Sequence, residues 1–424
     1  MSSQNYDGGA HLLCPACGLT SPLGLIGPCP SCGGILECVY SDEALRCLFE
    51  PLGGRGLSRY LLLLPVTGTL PSLGEGDTPL LRSNNLAEVV GLSNLFLKNE
   101  TVNPTGSFKD RGAVIAVARA LTDGVTGLLT ASTGNAAAAL AAYCASQRLR
   151  CVVLFSQDSP LSKLRQALAY GAHHIQVKNL FGGKPETFIQ FLVSLSERLD
   201  LDLAFFWAPI NPYLLEGMKT IAYEIVAQIG GRAPDVVICP VGGGDGLAGQ
   251  WRGYQELHRA GVIHRLPRMI GVQPNGAAPL VASFQQGADR VLPIEEAHTV
   301  ASGLRATFSG DHALQAIRAS GGTAIAVKDS QILEFQRLLA RLEGVWAEPS
   351  GTVSVAALAT LIEAHLIQPE EQVVCILTGA GFKDQHHDGV GATAADAPDV
   401  EVPVAEFDLE EIAARARALL STEG

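Results

Sequence analysis

Lys98-Asn-Glu-Thr-Val-Asn-Pro-Thr-Gly-Ser-Phe-Lys-Asp-Arg-Gly112 changes local structure twice within fifteen residues. Asn94 to Lys98 reads as a strand, Asn103-Pro-Thr-Gly106 as a turn, and Lys109 stands where the turn gives way to a helix. A lysine at a helix start opposes the helix dipole, so stability alone does not account for it. Held neutral by its site, or bound as an imine, such a lysine acts as a nucleophile and then as a base. The plain alternative is a solvated side chain.

Outward from this stretch, from about residue 78 on, short β-branched runs alternate with amphipathic segments of helix length. That is the pattern of a parallel sheet wrapped by helices, so the fold class is α/β. Strands are expected at Asn94 to Lys98, Gly127 to Ala131, Arg150 to Phe155, His174 to Val177, Val236 to Pro240, Met269 to Gln273, Ala324 to Val327 and Val373 to Leu377. Helices are expected at Asn135 to Gln147, Leu161 to Tyr170, Tyr213 to Ile229 and Val353 to Ala364. After Asp384 the composition turns to Ala, Asp, Pro and Gly, a linker, before a last helix at Asp408 to Leu420.

Two further loops join a strand to a helix. Val241-Gly-Gly-Gly-Asp-Gly246 would converge its amides at a helix opening near Leu247, a geometry that holds phosphate. It lacks the Gly-Lys-Ser/Thr of a Walker loop and the spacing of a dinucleotide fingerprint, and a glycine run there also serves as an ordinary tight turn. Ala131-Ser-Thr-Gly-Asn135 offers two hydroxyls, an amide and free backbone donors, which suit a carboxylate. Here the alternative is a simple N-cap by Ser132, Thr133 or Asn135.

The first forty residues differ. Cys14-Pro-Ala-Cys17 and Cys29-Pro-Ser-Cys32 are two CxxC knuckles, followed by Gly18 and Gly33, with the spacing of a zinc ribbon. Four thiolates close a tetrahedral structural zinc site and leave no open position for catalysis. The remaining cysteines lie in apolar contexts and read as core. With 47% hydrophobic and 17% charged residues in 424, the chain is long enough for more than one packed unit. A net charge of -12 and a pI near 5.3 offer no basic field for nucleic acid or anionic membrane, and Leu13 to Tyr40 contains no lysine or arginine. The most apolar run, Leu61 to Val66, is far shorter than the roughly 18 residues of a membrane span, and Met1 to Ala10 lacks a signal-peptide core; the expected location is cytoplasmic.

Taken together, Lys98 to Gly112, Ser132-Thr-Gly-Asn135, Asn211-Pro-Tyr-Leu-Leu-Glu-Gly-Met-Lys-Thr220 and Leu377-Thr-Gly-Ala-Gly-Phe-Lys-Asp384 resemble the threonine synthase family. The resemblance implies a fold type II, tryptophan synthase β-like architecture of two parallel-sheet α/β domains, with pyridoxal 5'-phosphate as cofactor. It assigns the Schiff-base lysine to Lys109 and the phosphate cradle to Gly242, Gly243, Gly244, Asp245 and Gly246. Phe108 and Asn135 would contact the ring, Thr378 the pyridine nitrogen, and Ser132, Thr133 and Asn135 the substrate carboxylate. A neutral hydroxyl at Thr378 does not favour a pyridinium, which suits elimination and replacement at Cβ or Cγ.

The same resemblance implies a small amino-acid substrate, a homodimer, and a large domain of residues 41–115 and 206–390. A small domain would span 116–205, the ribbon 1–40, and a linker and helix 391–424. One departure stands out: where the family carries a serine and an arginine for the substrate phosphate, this chain has Pro209 and Leu214. Compensation would fall to Lys163, Arg165, Lys219 or Arg305, while Asp245 adds a negative charge beside the cradle. The leading activity is conversion of O-phosphohomoserine to threonine and phosphate. Alternatives are a β- or γ-replacement enzyme similar to cysteate synthase, and a non-catalytic binding protein on the same fold.

Overall fold

The structure is a computed structural model; it describes residues 9–48, 53–132, 134–157, 161–178, 180, 185–384 and 404–421. Three strands, β1 (His11–Leu13), β2 (Thr20–Ser21) and β3 (Glu37–Val39), form a small antiparallel sheet at the N-terminus. The next are β4 (Leu80–Arg82), β5 (Asn94–Asn99), β6 (Gly127–Ala131), β7 (Arg150–Ser156), β8 (His173–Val177), β9 (Asp202–Leu203) and β10 (Val236–Pro240). β11 (Arg268–Pro274), β12 (Thr323–Val327), β13 (Gln372–Leu377) and β14 (Val404–Ala405) complete the set. A six-stranded sheet runs β12-β11-β10-β13-β5-β4, parallel except for β4, and a five-stranded parallel sheet runs β14-β8-β7-β6-β9. The central strands are buried throughout, as expected for sheets covered on both faces.

Every strand expected from the sequence is present within a residue or two of its expected ends. Those not expected, β1 to β4, β9 and β14, are two or three residues long, too short to show a period. The helix expected at Val353 to Ala364 is corrected: it begins at Pro349, where a proline suits the first turn, and gives way at Ala357 to a second helix, Leu358–Glu363. The C-terminal helix, Leu409–Ser421, buries Ile412, Ala413 and Ala416 in one cluster with Phe188 and Leu195 of the Pro185–Leu199 helix. The linker residues 385–403 lie outside the described residues.

Two helices that frame the site touch backbone to backbone. A Cβ at Gly217, in the Leu214–Gln228 helix, would overlap the Arg111 carbonyl of the Lys109–Asp123 helix. In the Asp245–Arg259 helix, a Cβ at Gly249 would lie 2.8 Å from Met218 Cβ, so glycine permits this packing too. The N-terminal sheet docks on the same group: Gly24 N–H donates to the Tyr213 hydroxyl (2.7 Å) and the Tyr40 hydroxyl to Glu216 (2.8 Å). Among the described residues no helix is long and apolar enough to cross a membrane.

Candidate active site

Beneath the fifteen-residue stretch lies a dry ionic network. Arg111 is fully buried; its guanidinium donates to Glu100 (Nε 2.7 Å), Thr220 (2.8 Å) and both Glu224 oxygens (2.7 Å each). Lys98, also fully buried, donates to Glu224 (2.7 Å), the Thr78 carbonyl (2.7 Å) and Gln228 (3.0 Å). Asp110 turns back onto Thr105, whose N–H and hydroxyl donate to it at 2.7 and 2.5 Å. These contacts clamp the turn and the first helical residues, so the charges around Lys109 are committed to structure.

Lys109 alone among these charged side chains lines the pocket bounded by the glycine run and Ser132. It is the first residue of its helix, half-buried, with Nζ 4.9 Å from the Phe108 ring centre and 4.8 Å from that of Phe206. Burial pushes its pKa down, against the opposing pull of the Asp245 carboxylate. The amine is therefore easier to hold neutral than a solvated lysine, as a base or nucleophile requires.

Other expected residues converge here. Gly242, Gly243, Gly244, Asp245 and Gly246 line the pocket at the start of the Asp245–Arg259 helix, where free amides point outward. Gly244 adopts φ +106°, and a Cβ there would sit 2.7 Å from Ala313 Cβ. Phe108 and Thr378 line the pocket and their segments are joined, Phe108 N–H donating to the Thr378 carbonyl at 3.0 Å. Asn135 also lines it, its Nδ2 donating to Glu348 at 2.6 Å. Ser132 reaches the pocket, yet its hydroxyl accepts from the N–H groups of Gly134 (3.1 Å) and Ala137 (3.2 Å), so it caps the helix as well. Thr133 lies outside the described residues.

The sequence reading missed several lining residues: Phe205, Trp207, Phe308, Glu348 and Ser350. They come from segments far apart in the chain, and no local motif marks them. Glu348 had the one available signal, a carboxylate directly before a helix-opening proline.

Pro209 and Leu214 stand apart from the pocket described above. Neither lines this pocket; Leu214 is buried beside a separate cavity with Arg119 and Tyr213. Of the compensating cations, Lys219 is excluded, because it is buried against Glu216 (2.7 Å) and Glu256 (3.0 Å) over the Tyr40 ring. Arg165 is exposed, whereas Arg305, half-buried after the Ser302–Leu304 turn, lines the pocket.

Three buried polar atoms in the pocket wall have no partner among the described residues: Asn135 Oδ1, Trp207 Nε1 and Asp245 Oδ2. Buried polar atoms are normally satisfied, so their gathering marks a place for a polar ligand. Free amides at a helix start, an unpaired indole N–H and a desolvated lysine fit a phosphorylated aldehyde such as pyridoxal phosphate. At the N-terminus, the four ribbon sulfurs lie within 4.8 Å of one another, with Cys14 Sγ 3.5 Å from Cys32 Sγ and Cys17 Sγ 3.7 Å from Cys29 Sγ.

Comparison with known proteins agrees with this geometry. Residues 71–379 match the family described as pyridoxal-phosphate dependent enzyme. Threonine synthase of Methanocaldococcus jannaschii is 42% identical over 380 residues, covering 88% of this chain and 92% of that protein. The threonine synthase of Methanosarcina acetivorans is 38% identical with the same coverage. Among solved structures, a T.th. threonine deaminase matches with TM-score 0.59 and 29% identity over 72% of this chain and 92% of the other. Maize serine racemase matches with TM-score 0.61 and 25% identity over 72% and 88%. Sequence, sheet order and pocket agree that this chain belongs to the threonine synthase family of fold type II pyridoxal-phosphate dependent enzymes.

Proposed function

We propose that the protein converts O-phosphohomoserine to threonine and phosphate, with Lys109 as the catalytic base. The observation that carries this reading is the position of one desolvated lysine in a pocket shared by the glycine cup and the Ser132–Asn135 loop. Pyridoxal phosphate, when bound, supplies an electron sink for charge that develops at the substrate's Cα. The amides of Gly242 to Gly246 would hold its phosphate, and Phe108, Asn135 and Thr378 would orient its ring. Lys109 takes the Cα proton and returns protons during the reaction, a role its lowered pKa suits. The amides around Ser132 and Asn135 bind the substrate carboxylate at the start of the Asn135–Ser146 helix.

Arg305 is the pocket cation to meet the leaving phosphate. Its replacement in Arg305→Ala should lower kcat/KM for O-phosphohomoserine by about 10- to 100-fold, the worth of one charge-assisted contact, with cofactor absorbance unchanged. An unchanged kcat/KM removes Arg305 from the site. A second reading, a replacement enzyme for an amino acid with another leaving group, is favoured by the aromatic wall of Phe205, Trp207 and Phe308. Phosphate and threonine released in equal amounts support the first reading; a cofactor-loaded protein that neither binds nor turns over O-phosphohomoserine supports the second.

A structural zinc ion held by Cys14, Cys17, Cys29 and Cys32 belongs to the same proposal. Zn–S bonds of about 2.3 Å in a tetrahedron separate the sulfurs by roughly 3.8 Å, close to the two spacings given above. Elemental analysis of the purified full chain should find one zinc per chain, lost in Cys17→Ser together with thermal stability. Four thiols that react freely with no metal present would exclude the ion. The expected homodimer is checked by light scattering, where a mass near 44.5 kDa would mean a single chain.

A further inference from the structure

The glycine cup contains a feature that a phosphate site would ordinarily avoid. Asp245 is 4% exposed and lines the pocket among the amides of Gly242 to Gly246. Two negative groups sharing a poorly solvated site repel, so an uncompensated carboxylate here would weaken the binding of a phosphate dianion. The structure also contains the remedy. Asp245 Oδ1 accepts from the Ala208 N–H at 2.9 Å and faces His312 Nε2 at 2.9 Å, while Oδ2 has no partner among the described residues.

His312 is itself buried, at 8% exposed, in the first turn of the Asp311–Ala319 helix. Space for its ring depends on glycine. A Cβ at Gly310 would overlap the imidazole, and one at Gly244 would lie 3.4 Å from Nε2. The segment before the helix is tied to the cup, since Gly310 N–H donates to the Gly243 carbonyl at 2.9 Å and the Ser309 hydroxyl to the Gly242 carbonyl at 2.7 Å. The neighbouring Asp311 points elsewhere, to Arg290 (3.1 Å) and the Val291 N–H (2.8 Å).

We propose that His312 is a positioning residue for the cofactor: its Nε2 contact holds the Asp245 carboxylate aside, so that the cup amides receive a phosphate dianion. The proposal rests on the cofactor occupying this pocket, and it assigns to His312 a role exerted wholly through Asp245. Lys109, Arg305 and Glu348 are the other ionisable residues that line the pocket, while Asp245 Oδ1 is held by Ala208 and His312.

The test is a mutant cycle read by equilibrium binding. The cofactor-free full chain is titrated with pyridoxal phosphate, following tryptophan fluorescence, for wild type, His312→Ala, Asp245→Asn and the double variant. Wild-type binding checks the pocket itself, and its absence would remove the cofactor site before the cycle begins. His312→Ala should weaken binding about 10- to 100-fold, as expected when the hydrogen bond to a buried charged group is lost. In the Asp245→Asn background the same change should cost less than about 3-fold, because no charge remains to compensate. An equal loss in both backgrounds would reduce His312 to packing and overturn the proposal, as would no loss in either.

His312→Gln guards against misfolding, because it retains a neutral donor of similar reach. With Asp245 intact, the phosphorus-31 resonance of the bound cofactor should stay at the dianion position in this variant and move toward that of the monoanion in His312→Ala, where no donor holds the carboxylate aside. A resonance fixed at the dianion position in His312→Ala would again overturn the proposal.

Discussion

On the proposed assignment, Lys109→Ala lowers turnover by about 10²- to 10⁴-fold while leaving thermal stability unchanged or slightly raised. The activity loss follows from removing the group that moves the proton at Cα, a contribution that spans about 10² to 10⁴ for a positioned acid–base residue. The stability side follows from the environment. The amine is desolvated and stands against the dipole at the first position of its helix. A residue kept for chemistry in a place that disfavours its charge costs stability, so truncation relieves the cost. In wild type, borohydride reduction and peptide mapping should find the cofactor on the peptide that contains Lys109. Residual turnover within tenfold of wild type, or a label on another lysine, would sink the assignment.

Arg111→Ala, only two residues away, has the opposite signature: stability falls by about 3–5 kcal/mol, the usual result of breaking a buried ion pair from one side. Glu100 and Glu224 would remain in a buried site with Lys98 as the nearby cation among the described residues, and Thr220 would lose its charged partner. Denaturant unfolding measures the loss directly.

The pH dependence gives an independent check. Burial alone would raise the Glu224 pKa, but Arg111 and Lys98 outweigh it and hold the carboxyl at about 2, against an ordinary value of 4.5. Because the folded value is depressed, its stabilisation is present above about pH 4.5 and drains away as the pH falls toward about 2. In Arg111→Ala this acid-side loss should shrink, because Glu224 keeps Lys98 but loses Arg111. A variant as stable as wild type at neutral pH, with the same acid profile, would mean that the network does not support the turn.

The contrast between these two residues shows what could be read from the chain. The alternation of strands and helices was legible because buried parallel strands and amphipathic helices impose different periods on hydrophobic residues. So were the glycine run before Leu247 and the paired CxxC knuckles, since both depend on local backbone geometry. Short elements escaped: β9 and β14 exist because a neighbouring strand offers hydrogen bonds, and two residues cannot announce that. The extra turn at Pro349 escaped because its helix begins before the apolar pattern does.

The order of residues along the chain was enough to set the α/β class, the succession of loops that meet at the pocket, and the presence of a lysine at a helix start. Packing was needed to separate the charges that are chemical from those that are structural. Lys98, Glu100, Lys109, Asp110 and Arg111 look equivalent as letters, yet four are buried or turned into hydrogen-bonded partners and one lines the pocket. Packing also decided that Arg305, with no motif around it, joins the pocket while Lys219, inside a motif, does not. The physical reason is common to both cases. A charge is defined by what surrounds it, and here those surroundings are Glu224 from one helix, Thr78 from a loop and Asp245 from another helix, brought together only when the sheets and helices pack.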